Sequence, residues 1–569
     1  MGYNRRAPFF CKMPDQPPSA SPRAGLAGDP VETGLVERRS ATLLRDVLVN
    51  YSGFLVTGVV GMLIVPFLLR HIGTEAFGVW ICATALAGML AAIDPGLYPA
   101  IVRAVAAEGS SSGAADASGL VNSAAVSYAA LGLAGAAVLA GAAPFALPRL
   151  NIRTTTPADA GLIFVLVGAA FLAERMLFFA DAVLSGLRRF ATLSAISVAG
   201  ALLRAGGYVL LLGSGRGVVA VVTWSAIISL SSAVTALAAM RFGQRPVRCR
   251  LRFEWELFRP HLPFAGQTFA ATLSMRTIWD LSPTVLGWLR GAAAVVPLSL
   301  GQRFPFAVGR LNYTASAAFL PAASAGDAVT GMAEVVLLGT RWVMTVALPL
   351  CVVLWVLAPN LVSVWLGSAA PEVVTILRLS TGAILVDALG IAASQSLWGG
   401  GKAGTVLWVY GAMVGPSVIL TVVLSRWYGA RGSAAGLLLC LLVCALAFVG
   451  LASREARIPR WRVFRTGVLE LAPATACAAA LAWALRSRFA LQDWSAVLAT
   501  AAGCGLVYLA VFLSTTGKRE VRLLAGLLGR RLRSVPAEPA HPEDDLAAYF
   551  VHPMPIAEES TGAKGTSEA

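Results

Sequence analysis

FGVWICATALAGMLAAIDPGLYPAIVRAVAAE, residues 77–108, is apolar enough to lie in lipid, yet an Asp, two prolines and an Arg interrupt it. At about 1.5 Å per residue a continuous helix of this run would be about 48 Å long, against a hydrocarbon core of about 30 Å. Either one membrane span ends at Asp94, or a longer span is broken there. Pro95 and Pro99 lack backbone N–H groups and Gly96 loosens the chain, so some carbonyls lose their helical partners. In lipid those carbonyls must be satisfied by a cavity or by neighbouring helices. The reading adopted is a kinked second span facing a central cavity, with Arg103 at its cytoplasmic mouth.

The rest of the chain supports a membrane setting. Of 569 residues, 57% are hydrophobic and 13% charged, whereas soluble chains carry about 25% charged residues. A soluble protein of this composition would expose large apolar patches. Apolar runs with turn signals between them give about fourteen spans. They lie near 47–69, 77–108, 120–147, 158–182, 193–213, 218–240, 262–286, 292–320, 335–357, 372–397, 404–424, 433–453, 466–485 and 494–514. The expected fold is an all-α polytopic membrane protein.

LLRHIGTEAFGVW (68–80) is echoed by VLGWLRGAAAVVP (285–297), and Arg-rich loops at 241–260 and 454–465 follow the sixth and twelfth spans. This spacing predicts two pseudo-symmetric six-helix bundles plus a C-terminal helix pair. The expected division is a disordered cytoplasmic tail (1–43), an N-terminal lobe (44–240), a basic linker (241–261) and a C-terminal lobe (262–453). A basic loop (454–465), helices 13 and 14 (466–514) and a basic, then disordered tail (515–569) complete it. The two Arg-rich loops hold eleven Arg, and this bias places both termini in the cytoplasm.

The net charge of +15 does not point to nucleic acid, because the basic residues form juxtamembrane clusters without an aromatic platform. Such clusters set topology and contact anionic membrane lipids. The eight Cys and four His show no metal-ligand spacing. GGGKAG (399–404) lacks the Gly and Ser/Thr positions of a phosphate loop. The N-terminal segment has no apolar core of the kind a cleavable signal needs.

Residues 50–108 resemble the opening of the bacterial polysaccharide flippases, the lipid-linked oligosaccharide (O-antigen type) branch of the multidrug/oligosaccharidyl-lipid/polysaccharide exporter superfamily. Pro66, Ile72-Gly73, Phe77-Gly78, Asp94, Gly96-Leu97 and Arg103 occupy the family's motif places, and Pro95 and Pro99 depart from them. VLSGLRRFATLSAISVAGALLRAGGYVLLL (183–212), PNLVSVWLG (359–367) and SLWGGGKAG (396–404) are similar to later connections of the family. The resemblance implies a non-enzymatic transporter that moves undecaprenyl-pyrophosphate-linked oligosaccharide units across the bacterial inner membrane by alternating access. It would serve surface polysaccharide synthesis (lipopolysaccharide, capsule or exopolysaccharide), with a polysaccharide polymerase and a chain-length regulator as partners. It implies no cofactor beyond a coupling H+ or Na+. A drug or metabolite antiporter, a lipid II flippase and an envelope glycosyltransferase, polymerase or ligase are the alternatives.

Ionisable residues within spans cost about 2.5–3.5 kcal/mol each on insertion scales and mark cavities, partners or substrate paths. The candidates are Asp94, Glu174, Arg175, Asp181, Arg204, Arg276, Asp280, Arg303, Arg310, Arg341, Arg378 and Asp387. Glu174, Asp181 and Arg378 read as interfacial groups that snorkel. Arg276 and Asp280 share a face of the seventh span, as Arg303 and Arg310 do on the eighth. A pyrophosphate headgroup requires such a cationic compartment, and Arg holds phosphate oxygens in a bidentate fork. The expected substrate contacts are Arg276, Asp280, Arg303, Arg310, Arg341 and Asp94, with Asp94, Asp280 and Asp387 as candidates for ion coupling. Tyr208, Asn312, Tyr313, Gln395 and Trp398 are candidate sugar contacts.

Overall fold

The computed structural model describes residues 53, 55–91, 93, 97–107, 114–242, 253, 255, 262–317, 330–399, 402–489 and 491–515. The expected terminal tails and most of the 241–261 linker lie outside them. The described residues form helices joined by turns. In chain order these are α1 (Leu55–Ile72), α2 (Thr74–Ala91), α3 (Leu97–Ala107), α4 (Ala114–Ala146), α5 (Pro157–Gly186), α6 (Phe190–Gly213) and α7 (Val218–Arg241). There follow α8 (Leu262–Arg290), α9 (Ala292–Ala317), α10 (Thr330–Leu366), α11 (Pro371–Gly399) and α12 (Ala403–Glu455). The chain ends in α13 (Arg460–Phe464), a π-turn at Arg465–Leu469, α14 (Ala472–Arg488) and α15 (Trp494–Thr515).

Eleven of these segments are long and apolar enough to cross a membrane. One of them, α12, is two helices meeting at Gly429, where φ is 61° and ψ is −137°. The helices α8 and α9 have the length but fall short in apolarity. They are the two that carry Arg276, Asp280, Arg303 and Arg310. With these two and the second limb of α12, the described residues hold the fourteen crossings that the sequence predicts.

The second span is broken as expected. Its first part, α2, stops at Ala91, and helix resumes as α3 at Leu97. Asp94, Pro95 and Gly96 lie outside the described residues, so the expected depth of Asp94 does too. The freed backbone at the break finds a partner on a neighbouring helix. Arg175 of α5 donates from Nη1 to the Ala91 carbonyl at 3.4 Å, with its guanidinium over the rings of Phe171 and Phe178 at 5.1 and 5.4 Å. The Ala91 carbonyl is therefore met by protein rather than left to lipid.

Helices α3 to α7 pack on one another around Leu97, Ile101, Tyr128, Phe179 and Met240, and α2 packs on α4 and α5. Helices α8 to α12 form the second bundle, around Ile278, Val336, Ala393, Leu437 and Phe448. Small residues bring the helices close, as membrane packing requires. A Cβ on Gly168 would stand 3.1 Å from the Ala136 carbonyl oxygen, and one on Gly390 would stand 2.9 Å from the Cα of Ala445. The pair α14–α15 packs on α10, where the Tyr508 hydroxyl donates to the Thr345 carbonyl at 2.9 Å.

The end of the molecule at which α1 finishes is called distal. Here the two bundles meet. Val79, Cys82 and Ala83 of α2 form one buried cluster with Leu286 of α8 and Val295 and Leu298 of α9. The Ala292 N–H donates to the Leu150 carbonyl at 2.9 Å, and Gly78 lies directly against the Ala292 carbonyl. Gly73 and Gly291, in the two turns that the internal repeat pairs, have φ of 78° and 88°, a region that side chains disfavour. Other distal turns likewise pivot on a positive-φ glycine, at Gly215, Gly367 and Gly429. The loop after α4 is tied down by Glu75, whose carboxylate accepts from the backbone N–H groups of Arg153, Thr154 and Thr155 at 2.9, 2.8 and 2.7 Å.

Two outcomes follow from these contacts. Gly78→Val will force the bundles apart at the distal end, whereas Gly141→Val, in open space, will be silent. A cysteine pair at positions 150 and 292 will report this as lost cross-linking in the first variant only. Arg175→Met uncaps the broken span and will lower stability by about 1–3 kcal/mol, read as a fall in melting temperature in detergent.

Candidate functional site

The polar hairpin α8–α9 lies against the N-terminal bundle. On α8, Arg276 and Asp280 are one turn apart and pair at 3.1 Å, with side chains 48% and 26% exposed. An ideal Cβ on Gly88 of α2 would stand 4.0 Å from Asp280 Oδ2, so the pair sits where the bundles face each other. Trp279, between them in sequence, turns instead to the interior and meets Phe306 edge-on at 5.4 Å. On α9, Arg303 donates from Nη1 to the Gly61 carbonyl of α1 at 3.1 Å, a bond from one bundle to the other. Arg310 lies two turns along and is exposed, within electrostatic reach of Arg303.

A second group of expected residues joins this face from within the C-terminal bundle. Tyr313, 46% exposed, lies within reach of Gln395, Asp387 and Arg276. Asp387 on α11 also faces Tyr410 of α12. Asn312 is 2% exposed, and neither its side-chain oxygen nor its nitrogen has a hydrogen-bond partner. Buried amides are rarely left so. The structure thus brings together Arg276, Asp280, Tyr313, Gln395 and Asp387, with Arg303 and Arg310 on the same hairpin. Trp398 packs against the apolar core of the C-terminal bundle. Asp94 lies outside the described residues.

Arg341 is placed differently from the expectation. Its Nη1 pairs with Glu470 Oε2 at 2.7 Å, just past the π-turn, and Arg465 approaches the same carboxylate at 3.8 Å. Close packing of Gly467 on Thr340 brings the two elements together. Arg341 therefore ties the C-terminal helix pair to α10, and its charge is met there. Glu470 escaped the sequence reading because it sits near a predicted span boundary, where an acid is unremarkable. The extra residue per turn of the π-turn, which rotates it toward α10, has no sequence signature.

The N-terminal bundle has a cavity of its own, of about 430 Å³. Thr57, Gly61 and Ile64 of α1, Glu174 of α5, Arg204 and Tyr208 of α6 and Ser229 and Ser232 of α7 line it. Arg204 donates to the Ser229 hydroxyl at 3.1 Å and lies within electrostatic reach of Glu174. Glu174 therefore faces this cavity, where the sequence reading had it snorkel to the interface. The misreading has a simple cause: its partner Arg204 is thirty positions away and only the packing of α5 on α6 and α7 unites them. Tyr208 belongs to this cavity and not to the α8–α9 face. Gly61 serves both places, lining the cavity and accepting from Arg303. The other two interfacial expectations differ in kind. Arg378 lies over the Trp355 ring at 4.7 Å, and Asp181 accepts from the Ser185 hydroxyl at 3.5 Å.

Among the described residues no group of three or more His, Cys, Asp and Glu could hold a metal ion. The α8–α9 face is a cationic and hydroxyl-bearing surface, with Arg276, Arg303 and Arg310 near Tyr313 and the carboxylates of Asp280 and Asp387.

Residues 43–326 match the family model described as polysaccharide biosynthesis protein. No curated protein matches the chain by sequence. Among solved structures the chain is similar to lipid II flippase MurJ in an inward closed conformation, with 12% identity and a TM-score of 0.66 over 84% of this chain and 100% of that one. It is also similar to an inward-facing MATE family multidrug resistance transporter of the MOP superfamily, with 16% identity and a TM-score of 0.54 over 67% and 93%. An outward-facing transporter of the same description gives 16% identity and a TM-score of 0.53 over 73% and 96%. At these identities the structural likeness establishes the fold. Together with the family match, it places the chain among the polysaccharide biosynthesis proteins, as a multi-pass membrane protein with the fold that MurJ and the MATE transporters share.

Proposed function

We propose that this protein flips undecaprenyl-pyrophosphate-linked oligosaccharide units across the bacterial inner membrane, for synthesis of a surface polysaccharide such as lipopolysaccharide, capsule or exopolysaccharide. It is a transporter, not an enzyme. Both termini lie in the cytoplasm, and a polysaccharide polymerase and a chain-length regulator act beside it. The observation that carries this reading is the concentration of guanidinium groups on one hairpin at the junction of the bundles. Arg276 is half exposed beside Asp280, and Arg303 and Arg310 follow along α9.

A pyrophosphate cannot enter hydrocarbon without its charge being met. The α8–α9 face offers charge-assisted donors, and Tyr313, Asn312 and Gln395 offer hydrogen bonds to sugar hydroxyls. With the termini in the cytoplasm, the distal junction seals the far side and the headgroup enters from the near side. The bundles then part at the distal end. Asp280 and Asp387, and Asp94 in the broken span, carry the coupling proton or sodium ion. Asp280 loses its partner when Arg276 turns to the phosphate, which links headgroup binding to the state of that carboxylate.

Reconstitution with a fluorescent lipid-linked oligosaccharide tests this. Arg276→Ala and Arg303→Ala will each slow flipping about tenfold to a hundredfold, the loss of one charged hydrogen bond. Arg341→Met and Glu470→Gln will lower the melting temperature, and the double variant will add little to either single one. Flipping per folded molecule will hold in both. Unchanged flipping in Arg276→Ala and Arg303→Ala sinks the assignment. Flipping of lipid II or export of a cationic drug in place of the oligosaccharide would select the corresponding alternative. In the same vesicles Asp387→Asn will make uptake indifferent to ionophores that collapse the wild-type gradient.

A further inference from the structure

The segment that joins α12 to the C-terminal pair holds five arginines between residues 454 and 465. It is firmly built. The end of α12 is closed by the Ile458 N–H donating to the Ser453 carbonyl at 2.9 Å, with Arg457 at a φ of 53°. Ala456 and Val463 are 3% and 0% exposed and belong to the core of the C-terminal bundle, with Ile458 packed against it. These three apolar anchors turn the remaining side chains outward. Arg454, Arg457, Arg460 and Arg462 are all exposed. Trp461 and Phe464 stand out beside them, 60% and 41% exposed, with ring centroids 5.8 Å apart.

The nearby acids are engaged elsewhere. Glu455 pairs with Lys402 and Glu470 with Arg341. Among the described residues no carboxylate pairs with Arg454, Arg457, Arg460 or Arg462. Four guanidinium groups with two aromatic rings, fixed at the end of a membrane bundle, match the chemistry of a lipid surface. Phosphodiesters meet the charges, and aromatic rings settle at headgroup depth. The short helix α13 that carries Arg460 and Arg462 packs on the end of α12, on the π-turn and on α10.

We propose that this turn is a binding site for anionic phospholipid of the adjoining leaflet, held by Arg454, Arg457, Arg460 and Arg462 with Trp461 and Phe464 as anchors. Arg465 and the Glu470–Arg341 pair follow directly in the chain, so a lipid bound here braces the C-terminal pair where it meets α10.

The test uses the full chain, purified in detergent with dioleoyl phosphatidylglycerol and dioleoyl phosphatidylcholine in equal amount, and native mass spectrometry of the retained lipid. Wild type will keep phosphatidylglycerol in preference, and Arg457→Gln, Arg460→Gln and Arg462→Gln will lower that preference by about fivefold per arginine, as about 1 kcal/mol per basic residue near an anionic surface requires. The three Arg→Lys changes at the same positions will retain it, and an unchanged melting temperature in detergent will show that the Gln variants fold. Arg488→Gln, far from the turn, will leave retention as it is. The proposal fails if the triple Gln variant retains phosphatidylglycerol like wild type. It also fails if Arg488→Gln loses retention equally, since net charge alone would then explain the result. Occupancy of the turn by the chain's own acidic segment at 543–545, seen as a cross-link that phosphatidylglycerol does not displace, would overturn it as well.

Discussion

A hairpin that carries three arginines and an aspartate within membrane-spanning helices cannot face lipid. The remaining architecture can be understood from that constraint. Each unpaired charge at bilayer depth is costly, so α8 and α9 must be covered by something polar or enclosed. The covering is the N-terminal bundle. Arg303 reaches the backbone of α1, and Asp280 comes up against α2 at Gly88. The same approach brings α2 close enough to α9 that residue 78 must be glycine. A transport site and a structural junction thus share one surface. Opening the junction necessarily re-exposes the charges, and only water or an anionic headgroup can then meet them.

The broken second span obeys the same rule on the backbone. Its loose carbonyl at Ala91 is met by Arg175, a charge that is itself shielded by two phenyl rings. One intramembrane arginine therefore offsets a defect in a neighbouring helix, and neither would be tolerable alone.

Much of this was legible from the residues. The crossings, the break after Ala91 and the Arg276–Asp280 pair all follow from local patterns, namely apolar length, proline and glycine placement, and an i,i+4 spacing. Their interactions lie within a few positions of each other, and sequence reports those well. Glu174 with Arg204, Arg341 with Glu470 and Arg175 with Ala91 are separated by 30, 129 and 84 positions. Which of many intramembrane charges finds which partner depends on helix rotation and on a π-turn that shifts the register by one residue. No periodicity encodes that, which is why the residues alone point to Arg341 as a substrate contact while the fold pairs it with Glu470.

The glycine turns at the distal end bear on how the protein meets its surroundings. Gly73, Gly215, Gly291, Gly367 and Gly429 each reverse the chain within a residue or two of helix. Exposed loop tips are where proteases cut and where inserted sequence is tolerated; the single-residue turns at Gly73 and Gly291 offer none, and the exposed tips are the four-residue turns 214–217 and 367–370. The longer segment 150–156 is held by Glu75. A protein assembling with this one from that side would therefore meet helix ends and short turns, and an epitope tag placed at Gly73 or Gly291 would break a helical hairpin rather than report on it.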